Sequence, residues 1–441
     1  MNVPIYRVVR IVVACGALAV LTAGCRQQVA DSTTSNSDNV ARRSAVGNES
    51  DNVARRSVVG NDSDNVARRS AVGNAFQQDS DSAASVSGKV AQLPADGSDS
   101  SVTPVSHNRR AQYPRLLSEY ALFDGAISAL QPTEGVVQYD VNTPSFADYA
   151  VRQRVVRLPP GTSAKYTDFA ALDFPVGTII AKTFYYLHDM TQPDAGRHLI
   201  ETRILWRQES GWIGIPYLWN EDQSDARLAL AGGAVAVQWV HKNGEPRSNT
   251  HIVPNLNDCK RCHQNETMEP LGPKARYINR DFEYAHGTEN QLSFWTRTGL
   301  LTGAPEPDQA PRVAVWDDPT TGSLDDRARA WLEINCAHCH NPQGPARNSG
   351  LHLNIDVHQP YQLGVFKTPV AAGQGTGGRL YDIVPGKPDE SILLFRLQTT
   401  HPGAVMPEFG RSLVQDEAVD LIRQWIAEMP SATSAQAAGP T

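Results

Sequence analysis

Ser323-Leu324-Asp325-Asp326-Arg327-Ala328-Arg329-Ala330-Trp331-Leu332-Glu333-Ile334-Asn335-Cys336-Ala337-His338-Cys339-His340 decides how the C-terminal part of this 441-residue chain is read. Ser323 suits a helix N-cap, because its hydroxyl can take a backbone N–H that has no intrahelical partner. Asp325 and Asp326 then fall in the first turn, where the helix dipole favours negative charge. The helix so started runs into Cys336-Ala337-His338-Cys339-His340. A second pentad of the same form, Cys259-Lys260-Arg261-Cys262-His263, lies upstream. Cys-x-x-Cys-His is the attachment signature of c-type haem. The two thiols bond to the vinyl groups on one edge of a porphyrin, and the next His offers its neutral imidazole to the iron. At this chain's Cys and His content one such pentad arises by chance about 0.002 times. The candidate attachment residues are Cys259, Cys262, Cys336 and Cys339, the candidate proximal iron ligands are His263 and His340, and the expected cofactors are two covalently bound haem c groups.

Other uses of these cysteines fit less well. A four-Cys zinc site usually has its pairs about 15–20 residues apart, whereas Cys262 and Cys336 are separated by 74 positions. A thioredoxin-type pair has no need of the following His and would not be duplicated on unrelated flanks. Two short-loop disulfides are the remaining alternative for an exported chain.

The N-terminus reads as an export signal over residues 1–24. Arg7 and Arg10 precede an apolar run, Ile11 to Leu21, that is too short to span a bilayer. The run ends in Leu21-Thr22-Ala23-Gly24-Cys25, which resembles the lipobox of bacterial lipoproteins apart from Thr22, where Leu is preferred. On that reading Cys25 is lipidated, and Arg26 in place of Asp favours the outer membrane. An ordinary secretory signal cut nearby is the alternative. Cys15 leaves with the signal, so the other four cysteines are all haem anchors. Export and haem agree, because bacteria attach haem c outside the cytoplasm.

Residues 25–110 read as a disordered tether. They contain no Trp or Tyr and hold three thirteen-residue repeats: Ser37 to Glu49, Ser50 to Asp62 and Ser63 to Ala75. The few small apolar residues per repeat cannot offset roughly 1–2 kcal/mol of backbone entropy per residue. A coil of this length spans roughly 50 Å. Residues 431–441 read as a disordered tail. From 111 onward the chain holds all eight Trp and carries 28 basic against 37 acidic residues, a net of −9. That balance disfavours nucleic acid and suits redox protein partners with basic docking surfaces.

The expected fold class is α+β, with a β-rich domain over 111–310 that ends in the first haem site and a helical, class I cytochrome c-like domain over 311–430. Gly177 to Tyr186, His198 to Trp206, Gly211 to Tyr217 and the Val235/Val237/Trp239 alternation read as half-buried strands. In the second strand Ile200, Thr202, Ile204 and Trp206 share one face, and Glu201, Arg203 and Leu205 the other. Further on, Asp389 to Leu397 reads as a short helix. Asp416 to Met429 reads as an amphipathic one, with Val419, Ile422, Trp425, Ile426 and Met429 at helical spacing.

For the second iron, Met406 in Val405-Met406-Pro407-Glu408-Phe409-Gly410 is the candidate distal ligand. It lies 66 residues after His340, on a loop just before the last helix, and resembles the distal Met loop of class I cytochromes. Its alternatives are a core-filling role, or His401 as ligand. His/Met coordination would raise the potential relative to a bis-His site. For the first iron Met268, His241, His251 and His286 are all available, as is an open coordination position, and no assignment is made.

Several phrases are similar to an uncharacterised family of exported bacterial dihaem c-type cytochromes. They are Leu117-Ser118-Glu119-Tyr120, Tyr139-Asp140-Val141-Asn142-Thr143-Pro144, Asp173-Phe174-Pro175-Val176-Gly177-Thr178, Ile200-Glu201-Thr202-Arg203, Trp219-Asn220-Glu221-Asp222-Gln223, Gly272-Pro273-Lys274-Ala275-Arg276 and Asn335 to Pro342. The likeness runs from about Tyr113 to Met429 and implies two covalent haems and export, with no known substrate. By looser analogy, a β-rich region with Phe-Pro-x-Gly-Thr that ends in Cys-x-x-Cys-His is similar to small monohaem cytochromes that oxidise hydroxylamine. Those proteins have a haem-linked lysine and an open distal site. No lysine of this chain is matched to theirs, so no catalytic residue is carried over.

The expected function is electron carriage between periplasmic or outer-membrane redox partners by an exported dihaem lipoprotein. The lipid on Cys25 would anchor it, probing the periplasm through the tether. The alternative is a dihaem oxidoreductase, peroxidase-like or acting on small nitrogen oxides, with catalysis at the first haem.

Overall fold

Alternating β-branched and aromatic residues build the first half of the folded region into antiparallel sheet. The computed structural model describes residues 113–263 and 267–430. The signal, Cys25, the repeat tether and the tail lie outside the described residues. In chain order the strands are β1 (Val136–Tyr139), β2 (Val151–Arg157), the two-residue β3 (Ala164–Lys165), β4 (Ile179–Leu187), β5 (Arg197–Gln208), β6 (Gly211–Trp219), β7 (Ala226–Leu228), β8 (Gly233–Val240), β9 (Pro246–Val253), β10 (Asp281–Tyr284), β11 (Gly287–Asn290) and β12 (Leu301–Thr302). The helices are α1 (Asp258–His263), α2 (Ala275–Ile278), α3 (Gln291–Arg297), α4 (Leu324–Leu332), α5 (Ile392–Gln398) and α6 (Asp416–Glu428). The fold is mixed, sheet-rich first and helical later, as expected for α+β.

Six strands form the main sheet in the order β1-β2-β4-β5-β6-β7. Its central pairs are antiparallel throughout, with Val156 opposite Ile180 and Ala181 opposite Ile204. The four strands read from the sequence are β4, β5, β6 and β8. The half-buried expectation holds for only part of β5. Ile200, Thr202 and Ile204 are buried as expected, but Glu201, on the face expected to be wet, is fully buried too. The reason is that both faces of the sheet are covered. On one side Ile179, Ala181, Ile204 and Ile215 pack with Leu117, Tyr120 and Leu130 of the N-terminal segment. On the other, Val156 and Ile180 pack with Tyr277, Ile278, Leu292 and Trp295. The β8–β9 hairpin closes one end, setting Val237, Trp239 and Val253 against Phe184, Tyr186 and Ile200.

In the second half α4 begins as the sequence indicates. Ser323 Oγ accepts from Asp326 N, and Asp326 returns the bond to Ser323 N, a reciprocal cap. Such a cap contributes about 1 kcal/mol. Trp331, Leu332 and Cys336 pack with Leu394, Leu397, Ile422, Trp425 and Ile426 of α5 and α6. Trp425 Nε1 donates to Asp325 Oδ1 at 2.7 Å, which fastens α6 to the first turn of α4. The helix does not run straight into the cysteines. Glu333–Ala337 widens into a π turn. There Asn335 Nδ2 donates to the Trp331 carbonyl at 2.9 Å, and its Oδ1 accepts from Phe146 N at 2.7 Å. Single π turns commonly mark functional segments of helices.

Candidate haem attachment sites

Cys336, Cys339 and His340 are set by the end of this helix. The N–H groups of Cys339 and His340 both donate to the Cys336 carbonyl, at 3.1 and 2.9 Å. Asn341 folds back to donate from Nδ2 to the Ala337 carbonyl at 2.8 Å. Gly344 closes the turn so tightly that a Cβ there would lie 2.3 Å from the Cys339 carbonyl oxygen. Cys336, Cys339, His340 and Met406 all line one cleft of about 460 Å³, walled by Leu351, Leu353, Ile392, Leu393 and Leu397. That volume lies in the roughly 300–1,000 Å³ range of cofactor sites, and mostly apolar walls with a few polar groups are typical of them.

The histidines present the tautomer an iron ligand needs. Ser349 Oγ gives its proton to the Ala346 carbonyl at 2.7 Å, so its lone pairs remain to accept from His340 Nδ1 at 3.3 Å. At the first motif His263 Nδ1 lies 2.8 Å from the Glu269 carbonyl, which can only accept. In both rings the proton is therefore on Nδ1 and the Nε2 lone pair is free. Burial pushes the His340 imidazole down to about 4, with Arg396 adding to the effect. Burial, reinforced by Lys182, pushes His263 down to about 3. Both rings are neutral at neutral pH. Burial raises the Cys336 and Cys339 thiols to about 12. The four cysteines are free of disulfides. Among the described residues no group of three or more His, Cys, Asp and Glu side chains is placed to hold a metal ion. Two thiols, a tautomerically fixed imidazole and a thioether around one apolar cleft fit haem c.

The Met406 loop is held by Arg411, which the sequence reading did not single out. Its guanidinium donates to the carbonyls of Met406 and Leu413 at 2.9 Å each, and to those of Arg396 and Thr399 at 2.9 and 3.1 Å. One fork thus fixes the loop against α5. The competitor, His401, is exposed and uses Nδ1 to accept from Gly403 N at 3.2 Å; it does not line the cleft.

The first motif occupies the six-residue α1, directly after β9. Asn255 Oδ1 accepts from Asn257 N and Asp258 N, and Asp258 Oδ2 accepts from Asn255 N. Cys259 packs on β6 at Gly214, where a Cβ would lie 2.9 Å from the Cys259 Cβ and 2.9 Å from the Met268 methyl. Met268 therefore packs on the strand beside Cys259. The other residues available as distal ligands are also engaged. His251 Nε2 donates to Glu201 at 2.7 Å, and Tyr186 lies 3.3 Å from its Nδ1. His241 lies between Trp239 and Glu417. His286 bonds to Glu289 at 2.8 Å and stacks on Tyr284. Lys182, in β4, has no carboxylate partner among the described residues. Its charge reaches both His263 and Cys262, and burial pushes its amine well down. A lone lysine in Ile179-Ile180-Ala181-Lys182-Thr183-Phe184 was the available signal.

The fold brings the two motifs together across 74 positions. The Arg261 carbonyl lies 3.9 Å from Cys339 Sγ, and Arg261 and Cys262 line the same cleft as His340 and Met406. Beneath the junction, Glu333 is buried. Its Oε1 accepts from Arg276 Nη2 and Tyr277 OH at 2.5 Å each, and its Oε2 accepts from Ile355 N at 2.9 Å. Burial alone would raise this carboxyl, but Arg276 and Lys274 hold it below its ordinary value. Comparison with protein-family descriptions, with characterised proteins and with solved structures finds no match.

Proposed function

We propose that this chain is an exported dihaem c-type cytochrome that carries electrons between redox proteins. The observation that carries the reading is the shared cleft, where Cys336, Cys339, His340 and Met406 converge although Met406 is 66 residues from the motif. Cys259, Cys262, Cys336 and Cys339 would form the thioether links. His263 and His340 would be proximal ligands and Met406 the distal ligand of the second iron. Haem, when bound, supplies the one-electron chemistry; the protein supplies burial, axial groups and orientation. Residues 311–430 would then be a class I cytochrome c-like domain and 111–310 a β-rich domain that ends in the first site. Lipid on Cys25 and the tether of 25–110 would hold the protein at the outer membrane facing the periplasm. The acidic surface would favour basic partners and disfavour nucleic acid.

A specific observation favours a second reading. His241, His251 and His286 are engaged elsewhere, and Met268 packs on Gly214 beside Cys259. If none of them ligates, the first iron has an open position, as an oxidoreductase acting on peroxide or small nitrogen oxides would need. Low-temperature EPR and resonance Raman of the purified holoprotein separate the two. Two low-spin, six-coordinate haems inert to peroxide, nitric oxide and hydroxylamine are the carrier's result. A high-spin or ligand-exchangeable first haem is the enzyme's.

A further inference from the structure

We propose that Arg261 is a positioning residue for the other haem site: from within the first Cys-x-x-Cys-His motif it clamps the Met406 loop, so that Met406 ligation depends on the first motif. This rests on the haem reading above. Arg261 makes two contacts with the second site. Its carbonyl meets Cys339 Sγ at 3.9 Å, and its guanidinium carbon lies 3.5 Å from the centroid of the Phe409 ring. Phe409 is three residues past Met406, and both line the cleft. The two contacts differ in what survives haem attachment. A thioether sulfur has no proton to donate, so the Cys339 contact becomes simple packing. The guanidinium–ring stack is unchanged by the attachment, and it is the directional one.

Among the described residues the loop's other hydrogen bonds lie at its ends: Arg411 holds the Met406 carbonyl against α5, and Asp148 accepts from Ser412 N and Leu413 N, while none reaches residues 407–410. Phe409 is 41% exposed, so burial alone does not fix it. Among the described residues Arg261 has only a distant ion pair, 3.9 Å to Asp258, to hold its guanidinium elsewhere. A planar guanidinium stacks on an aromatic face as a lysine ammonium cannot. At exposed sites such a stack is worth a factor of about two to five in an equilibrium.

The test titrates holoprotein with imidazole and follows the thioether–iron charge-transfer band of the oxidised second haem. Arg261→Ala and Phe409→Ala should each lower the imidazole concentration that displaces Met406 by about two- to fivefold. The double variant should match either single one, because both remove the same contact. Helix content and the first haem's spectrum should not change. Arg261→Gln, which keeps polarity without the charge, should behave as Arg261→Ala. Unchanged displacement in the single variants, or additive effects in the double one, overturns the clamp alone. A wild-type protein that carries haem but lacks the band overturns Met406 ligation and the clamp with it.

Discussion

Glu333→Gln tests the link between the two halves of the molecule most severely. The carboxylate is 2% exposed and accepts from Arg276, Tyr277 and Ile355 N. Arg276 is itself 5% exposed and has no other carboxylate partner among the described residues. Glutamine keeps the shape and can still accept on one atom. It removes the charge that offsets the Arg276 guanidinium, and it turns an N–H toward the Ile355 N–H. Breaking a buried pair by neutralising one partner costs about 3–5 kcal/mol. A donor left facing a donor costs about 1–3 kcal/mol more. The terms overlap at one carboxylate, so the expected loss is about 4 kcal/mol, a large share of the roughly 5–15 kcal/mol that holds a domain folded. Guanidinium unfolding of the mature protein, followed by Trp fluorescence, measures it; Trp331 lies two residues away on α4. Because Glu333 opens the π turn that carries Cys336, the second haem's bands should change as well. Glu333→Gln combined with Arg276→Met should recover part of the loss, since only the partly exposed Lys274 is then left without its carboxylate. A loss below about 1 kcal/mol, the size of a surface substitution, would refute the buried-pair argument.

Three further outcomes are expected. Met406→Ala should abolish the thioether–iron charge-transfer band of the oxidised protein and lower the second haem's potential in a redox titration; a retained band excludes Met406 as ligand. Gly344→Ala would force a Cβ to within 2.3 Å of the Cys339 carbonyl, so haem staining of the second site should fall sharply while the first is still loaded, and equal loading would show that the turn relaxes freely. At Glu201, burial opposes ionisation, but Arg203 and His251 hold the carboxyl down to about 2 against an ordinary 4.5. Its contribution to stability is complete above about pH 4.5 and is lost as pH falls toward 2. A Glu201→Gln variant should be less stable at neutral pH and show a shallower acid loss; an unchanged acid profile would contradict this.

Much of the architecture was legible because it rests on local chemistry. Ser323 and Asp326 cap α4 through neighbours three residues apart, the apolar spacing of Val419, Ile422 and Trp425 marks α6, and alternation marks β4, β5 and β6. The two Cys-x-x-Cys-His pentads were legible because each is complete within five consecutive residues. The contacts that were not legible join distant positions. Glu333 meets Arg276 across 57 residues, and a charged residue in a helix ordinarily reads as solvated. Glu201 looked like the wet face of a strand because nothing local announces that β8 and β9 cover it. Arg411 is one of many arginines until four carbonyls from separate turns converge on it. The engagement of His241, His251 and His286, and the placement of Met268 on Gly214, are likewise properties of packing.

The most direct measurement of the central claim is the mass and absorption spectrum of mature protein made in a host that matures c-type cytochromes. The account predicts a polypeptide heavier by two haem groups, retained under denaturation, with the red colour of haem c; loss of one group is expected in Cys259→Ser/Cys262→Ser and of the other in Cys336→Ser/Cys339→Ser. A colourless product with the mass of the unmodified chain, apart from any lipid, would contradict it.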